Sequence, residues 1–501
     1  MLQTLSDALW VELRTKGPST NAFYAPDDQS FSKFHGGHSS EYGPINAWLE
    51  FQKTILNFTK KRRYVVVTDI ANYYDFISYD HLRNILADLS IAREHALDLL
   101  IYTLAHMLWQ PDYMPRVQVG LPQINLDGAR MLAHCFLFEI DRLFVGKAHI
   151  DYARYMDDMD IGVDSLGEAK TALRDLDLAL QTRQVRLNSG KTKILDEVGS
   201  LRHFRIFENA RLDRMHGNME DIRRAGGSNA VNRSLIKRVV ARGLLDGRFA
   251  SGNGEKILKR CINLAREYGA DIDDASFTEI IFEWPSVRLP LLLWWQHSAD
   301  PLQKLPLLRD FVISSHIVDH LAFINIAVAL VSARLPATLK TELLVLELCE
   351  SLSHKSKWSL FAHLWIISKY GTPEVLMTLI ENSASIWMSD EHLSRVVAGF
   401  FPRFIAHPFR PKFENTVRRS SSAARSVLEF HIALSTTTEG FTAVKPFISA
   451  PNPSQPNRIT HSKFLMLASL LNNSTIAPKP ILTLRDVHSY ALSDGFYACI
   501  V

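Results

Sequence analysis

The chain has 501 residues, of which 47% are hydrophobic and 22% charged, and its formal net charge is +3. That length exceeds one ordinary core, so two or three domains are expected, and the composition excludes a disordered or fibrous chain. A charge so near zero admits a nucleic-acid partner without demanding one.

Gly17-Pro18, Pro26-Asp27-Asp28 and Gly36-Gly37 are turn signals that make the start irregular, and a helical pattern follows from Ile45 to Phe58. The next stretch mixes signals: a strand over 64–70, helices near 79–108 and 129–145, strands over 150–156 and 159–163, a helix over 166–183 and a strand near 192–195. The composition changes between Arg214 and Asn232, where Gly226-Gly227-Ser228 reads as a linker. From about 232 onward the periodicity is almost entirely helical, in segments such as 254–267, 303–315, 317–333, 336–353, 356–369, 373–387 and 390–405. One helix in roughly 20 residues suits stacked helix pairs of the HEAT kind, with an irregular helical bundle as the alternative. Pro446 through Pro456 reads as a loop before a last helix near 461–472.

The longest apolar stretch, Leu321 to Ala333, is too short for a membrane span, and the first 16 residues lack the pattern of a secretion signal. Cys135, Cys261, Cys349 and Cys499 lie far apart without metal-ligand spacing, as expected of reduced thiols in a cytoplasmic protein.

Two acidic sites stand out. Tyr64-Val65-Val66-Val67-Thr68-Asp69-Ile70 is a buried-strand pattern that delivers Asp69 at its end. Asp157 and Asp158 lie between two short strand-like runs, where a hairpin would place them at its tip. Carboxylates packed together require a cation between them. Oxygen donors suit Mg2+, with Mn2+ as a substitute, and two such ions about 3.5–4 Å apart serve several classes of phosphoryl-transfer and hydrolytic enzyme.

Weaker signals accompany these. Gly120-Leu121-Pro122-Gln123 is a tight loop in which Gln123 can supply hydrogen bonds. Lys60-Lys61-Arg62-Arg63 is a basic run, read either as a phosphate contact or as a solvated edge. Between 395 and 425, Arg410, Lys412, Arg418 and Arg419 belong to a basic segment interleaved with Phe400, Phe401, Phe404, Phe409 and Phe413. Such a pattern suits single-stranded nucleic acid; the competing reading buries the phenylalanines and leaves the arginines solvated.

In order and spacing, Asp69–Tyr74, Gly120–Gln123, Tyr155-Met156-Asp157-Asp158 and Asn188–Lys193 resemble motifs A to D of reverse transcriptases. Ala129-Arg130-Met131-Leu132-Ala133 with Asp141, together with Arg154-Tyr155-Met156-Asp157-Asp158, resembles the bacterial abortive-infection (Abi) group, which includes AbiK, AbiA and prophage-encoded relatives. The likeness covers about residues 64–195. Ala129 replaces the usual serine, and Ile124 stands where many such enzymes have a second glycine.

The resemblance implies an α+β palm with small fingers over 1–220, and an all-α HEAT-like domain over 221–501 in place of a thumb. It makes Asp69, Asp157 and Ile70 the metal site, with Asp158 and Lys191 as further catalytic residues. It places Ile70, Tyr74, Gln123 and Tyr155 at the nucleotide, with Tyr74 closing the space a 2′-hydroxyl would need. It implies untemplated polymerisation of dNTPs, a single-stranded DNA product attached to a tyrosine primer, a homo-oligomer, no membrane, and phage defence in a bacterial cytoplasm. Tyr42 and Tyr24 are the candidate primers, and tyrosines of the helical half also qualify. The alternatives are a templated retron- or intron-type reverse transcriptase and a non-catalytic scaffold.

Overall fold

Five short strands build one mixed sheet in the computed structural model of the protein, and helices make up most of the rest. The structure describes all residues except 25–43, 91, 109–117, 123–126, 315, 316, 318, 353–355, 451–458, 474–488, 490 and 501. The chain divides into two compact units, Met1–Phe207 and Glu208–Val501. The division falls within the helix Ile206–Arg224, as does the boundary at 220 expected from sequence.

The sheet belongs to the first unit. Its strands are β1 (Ala22–Phe23), β2 (Tyr64–Thr68), β3 (Asp151–Tyr155), β4 (Asp158–Val163) and β5 (Lys193–Leu195), in the order β1-β3-β4-β2-β5. β1 is parallel to β3, and the other pairs are antiparallel. From β2 to β5 the succession is strand, helices, strand, strand, helix, strand, with β4 inserted between β2 and β3. This is a split β-α-β arrangement.

β2 is apolar on both sides because both faces of the sheet are covered. Val65 packs with Phe51, Ile55 and Phe58 of the helix Pro44–Lys61, whereas Val66 joins Met159, Ile161, Val163 and Leu176 in the core on the other face. Gly162 lets the helix Pro44–Lys61 approach: a Cβ there would lie 2.9 Å from Arg62 Cγ and 3.4 Å from Phe58 Cβ. Arg62 also closes this edge, bonding Asp151 at 2.7 Å and Asp164 at 2.6 Å. Lys61 also reaches Asp151, at 3.2 Å, so two members of the basic run are paired with acids.

Several elements differ from expectation. The irregular start contains a helix, Leu2–Leu13, whose Leu2, Leu9 and Leu13 are buried and which packs on the helix Asp127–Phe136. Gly128 permits that contact, since a Cβ there would lie 2.7 Å from Ser6 Oγ. The helix expected near 79–108 is two, Tyr79–Leu89 and Glu94–Met107, separated where Ser90 and Arg93 turn extended. Pro446, read as the start of a loop, lies inside the helix Thr438–Ser449. There the burial of Phe441, Val444 and Ile448 outweighs the lost backbone hydrogen bond.

The second unit is helical throughout its described residues. Between Gly254 and Tyr370 its helices form a ladder of next-but-one packing. Gly254–Tyr268 packs on Arg288–Trp295, Asp274–Glu283 on Pro301–Ile313, Arg288–Trp295 on His320–Ser332, Pro301–Ile313 on Leu339–Glu350, and His320–Ser332 on Lys357–Tyr370. The final turns are locked by Lys369, fully buried, which donates to the carbonyls of Val331 (2.9 Å) and Ala333 (3.0 Å) and to Asp494 (2.7 Å). Among the described residues, no helix is long and apolar enough to cross a membrane.

Buried histidines give this unit an acid limit. His431 meets Ser469 Oγ at 2.9 Å, and burial pulls its pKa down to about 4. His461, between Ser368 and Tyr497, is held well below the ordinary value by burial and then by Lys369 and Arg403. The unfolded chain therefore binds more protons below pH 6.5, and stability falls with acidification. For His431 the loss begins near pH 6.5 and is complete near pH 4, amounting to roughly 3 kcal/mol. Denaturant midpoints at pH 7.5 and 4.5 check this: His431→Gln, which keeps a hydrogen-bonding group but does not titrate, should show the smaller drop.

Candidate active site

The acids converge because of strand register. Thr68 pairs with Met159 and Val67 with Asp160. Continued past the end of β2, that register sets Asp69 opposite Asp158 and Ile70 opposite Asp157. On its other side Ile70 forms an isolated antiparallel bridge with Leu187. The hydrogen bonds there run from Ala71 N to Arg186 O (2.9 Å) and from Asn188 N to Asp69 O (2.9 Å). Ile70 is thus in a non-hydrogen-bonded pair, and its own carbonyl points away from Leu187, toward the hairpin.

β3 and β4 are joined by a two-residue turn, Met156-Asp157, closed by the pair Tyr155 and Asp158. Met156 takes φ +57°, as such tight hairpins require at the first turn residue. A non-glycine residue held there costs on the order of 1 kcal/mol, so the surroundings must enforce it. Arg154 does so. It is fully buried and donates to both oxygens of Asp141, at 2.8 and 2.5 Å, to the Met156 carbonyl at 3.0 Å and to the His134 carbonyl at 3.3 Å. Burial alone would lower the guanidinium pKa, but Asp141 more than reverses this and the group stays charged. Tyr152 donates to the same carboxylate at 2.9 Å. Arg154 and Asp141 enter the sequence reading only as motif residues without a role, and the structure makes them the support of the tip. The signal was a charged residue in the middle of a short core strand, following Tyr152-Ala153, which must find a buried acid.

Asp69 is 5% exposed. Its Oδ2 accepts from Lys191 Nζ at 2.5 Å, while its buried Oδ1 has no hydrogen-bond partner. The Asp69 contact raises the Lys191 pKa. Asp157 is pushed up to about 6, first by burial, then by Asp158 and more weakly by Asp69. Thr68 Oγ1 and Thr192 Oγ1, 2.7 Å apart, tie the end of β2 to the Lys191 turn.

The residues around the acids occupy distinct places. Tyr74 is half-buried, and burial followed by the Asp157 charge raises its phenol pKa. Leu121 N donates to the Tyr74 carbonyl at 2.8 Å, and Gly120, at φ +103°, packs over the same segment. The Gly120 loop and Tyr74 are therefore neighbours. Gln123 and Ile124 lie outside the described residues. Tyr155 packs edge-on to Trp48, 5.1 Å between centroids.

Tyr24 stacks on His134 at 5.0 Å and donates to the Asp127 carbonyl at 3.3 Å, and burial raises its phenol pKa. The charge of Tyr74 adds to that rise, which puts the two phenols near one another. Tyr42 lies outside the described residues.

The basic segment of the second unit does not form stacking platforms. Phe400, Phe401, Phe404 and Phe413 are fully buried. Arg410 pairs with Glu414 at 2.8 Å, Lys412 with Glu381 at 2.5 Å, and Arg418 with Glu429. The helix core claimed four of the five aromatic rings, with Phe409 partly buried against it, and nearby acids claimed three of the four cations; Arg419 has no such pair among the described residues.

Compared with known proteins, the chain matches no family model and no curated protein.

The orphaned Asp69 oxygen, the raised Asp157 carboxyl and an all-oxygen donor set fit a hard divalent cation. Mg2+ should therefore raise the thermal midpoint of EDTA-treated protein. Asp157→Asn should raise it in EDTA, by removing like-charge repulsion, and should blunt the Mg2+ response. A full Mg2+ response in that variant, read by differential scanning fluorimetry, would place the cation elsewhere.

Proposed function

We propose that the first unit is a reverse transcriptase-like palm that polymerises dNTPs into DNA by metal-dependent nucleotidyl transfer. The convergence of Asp69 with Asp157 and Asp158, with one buried Asp69 oxygen left unbonded, carries this reading. Asp69, Asp157 and the Ile70 carbonyl would hold two Mg2+ ions, with Mn2+ as a substitute. Bound there, the ions would supply activation of a primer hydroxyl and charge neutralisation at the leaving pyrophosphate.

The chain's own groups do the rest. Lys191 neutralises Asp69 in the absence of a cation. Released from that contact, its ammonium is available to the leaving phosphates as a proton donor. Asp158 lies beside Asp157 and raises its pKa, and is assigned to the primer end. Tyr74, backed by Gly120 and Leu121, forms a rigid wall that excludes a ribose 2′-hydroxyl.

The second unit is proposed as a HEAT-like repeat domain in place of a thumb, supported by its next-but-one packing. Untemplated synthesis, a tyrosine primer, a homo-oligomer and phage defence in a bacterial cytoplasm rest on the Abi-like motifs alone. Tyr42 and Tyr24 remain the candidate primers, and the packed, hydrogen-bonded state of Tyr24 favours the former.

The test is incubation with dNTPs and Mg2+ without nucleic acid, followed by a denaturing gel. A protein band shifted upward and collapsed by DNase is expected, and Asp157→Asn should abolish it. Activity only with an RNA template and primer would replace protein priming with templated synthesis, and no activity would leave a scaffold. In mixed-nucleotide competition, Tyr74→Ala should increase ribonucleotide incorporation; unchanged discrimination would remove Tyr74 from the gate.

A further inference from the structure

A second group of ligating side chains lies within the helical unit, between the helices Ile206–Arg224 and Gly254–Tyr268. His216 and Glu220 are four residues apart and share a helix face. Glu267 lies in the last turn of the other helix. One ligand atom of each lies within 4.8 Å of the others. The His216 side chain is 42% exposed, but its Nε2 is turned away from solvent and has no hydrogen-bond partner, an uncommon state for a shielded ring nitrogen. Glu267 Oε2 is 3.7 Å from it. That is too long for a hydrogen bond, but it matches two donors on one first-row cation, where bonds of about 2.0–2.2 Å set ligand atoms roughly 3–4 Å apart.

Two arginines frame the group. Arg223 donates to Oε1 of Glu220 at 3.1 Å and to Oε1 of Glu267 at 3.5 Å. It also stacks over the Tyr268 ring at 5.3 Å. It therefore orients both carboxylates through their outer oxygens, as partners behind metal ligands do. Arg224, largely exposed, donates to Glu220 Oε2 at 3.1 Å. It competes from the solvent side for the oxygen a cation would use.

We propose that His216, Glu220 and Glu267 form a binding site for a divalent cation of the zinc type, which ties the two helices together. An imidazole with two carboxylates selects zinc-like ions over Mg2+. Three protein donors leave a coordination position open to solvent. The site does not depend on the polymerase reading.

The experiment uses the full chain carrying Asp69→Asn and Asp157→Asn, which silences the acid site. Equilibrium dialysis against Zn2+ in a large excess of Mg2+ should yield one Zn2+ per chain. His216→Gln and Glu267→Gln should each weaken binding by more than the roughly tenfold that loss of an outer partner costs. Arg224→Gln should tighten it, because a competitor is gone. Zn2+ should raise the thermal midpoint of the parent and not that of His216→Gln, which separates binding here from binding at the exposed Cys499. Equal occupancy in parent and His216→Gln, or displacement of Zn2+ by Mg2+, would overturn the proposal. Failure of DNA synthesis in the wild-type chain would leave it intact.

Discussion

One buried ion pair underlies the geometry of the first unit. A guanidinium with no solvent contact is tolerable only when its N–H groups are nearly all satisfied. Asp141 takes two of them, and the carbonyls of His134 and Met156 take others. Arg154 lies on β3 and Asp141 on the helix Phe138–Phe144, so the pair fixes strand against helix. Met156 opens the turn, so the same side chain fixes the tip that bears Asp157. Removing one partner of such a pair costs about 3–5 kcal/mol, a large share of the roughly 5–15 kcal/mol that holds a domain together. The position of the acids is therefore coupled to the integrity of the core beneath them.

Above that satisfied layer lies one left deliberately unbalanced. Asp69, Asp157 and Asp158 repel one another, and Lys191 offsets only part of the charge. The contrast between the fully bonded Arg154–Asp141 pair and a buried Asp69 oxygen with no hydrogen-bond partner marks where a fold departs from its own stability rules. The His216 group repeats the contrast on a smaller scale, with an unbonded ring nitrogen facing two oriented carboxylates.

Much of this could be read from the residues. The β-branched run before Asp69 has to be a strand buried on both faces. The strand runs flanking Asp157 have to be a hairpin, since their alternation is continuous with the apolar core at Met159, Ile161 and Val163. The strand order was not legible, because β4 reaches β2 through register rather than through any local signal. The Leu2–Leu13 helix was hidden among turn residues, and only its contact with Gly128 explains it. The phenylalanines of 400–413 allowed two readings, and four of the five rings follow the packed one. Helical periodicity beyond residue 232 was clear, whereas the partner of each helix depends on long-range contacts that periodicity does not encode.

The insertion of β4 and the outer placement of β5 have a kinetic consequence. β2 is made early in the chain, but its two neighbours come from the hairpin and from Lys193–Leu195, far downstream. Closing such loops is slow because chain entropy is lost before the contact is gained. Asp69 meets Asp157 only when the hairpin docks, and meets Lys191 only when the last strand arrives. During synthesis from the N-terminus, the acids and their lysine therefore cannot coexist as a site until that last strand has left the ribosome. An incomplete chain lacks the cluster by topology: the acids come together when the hairpin docks, and the lysine joins them only with the last strand.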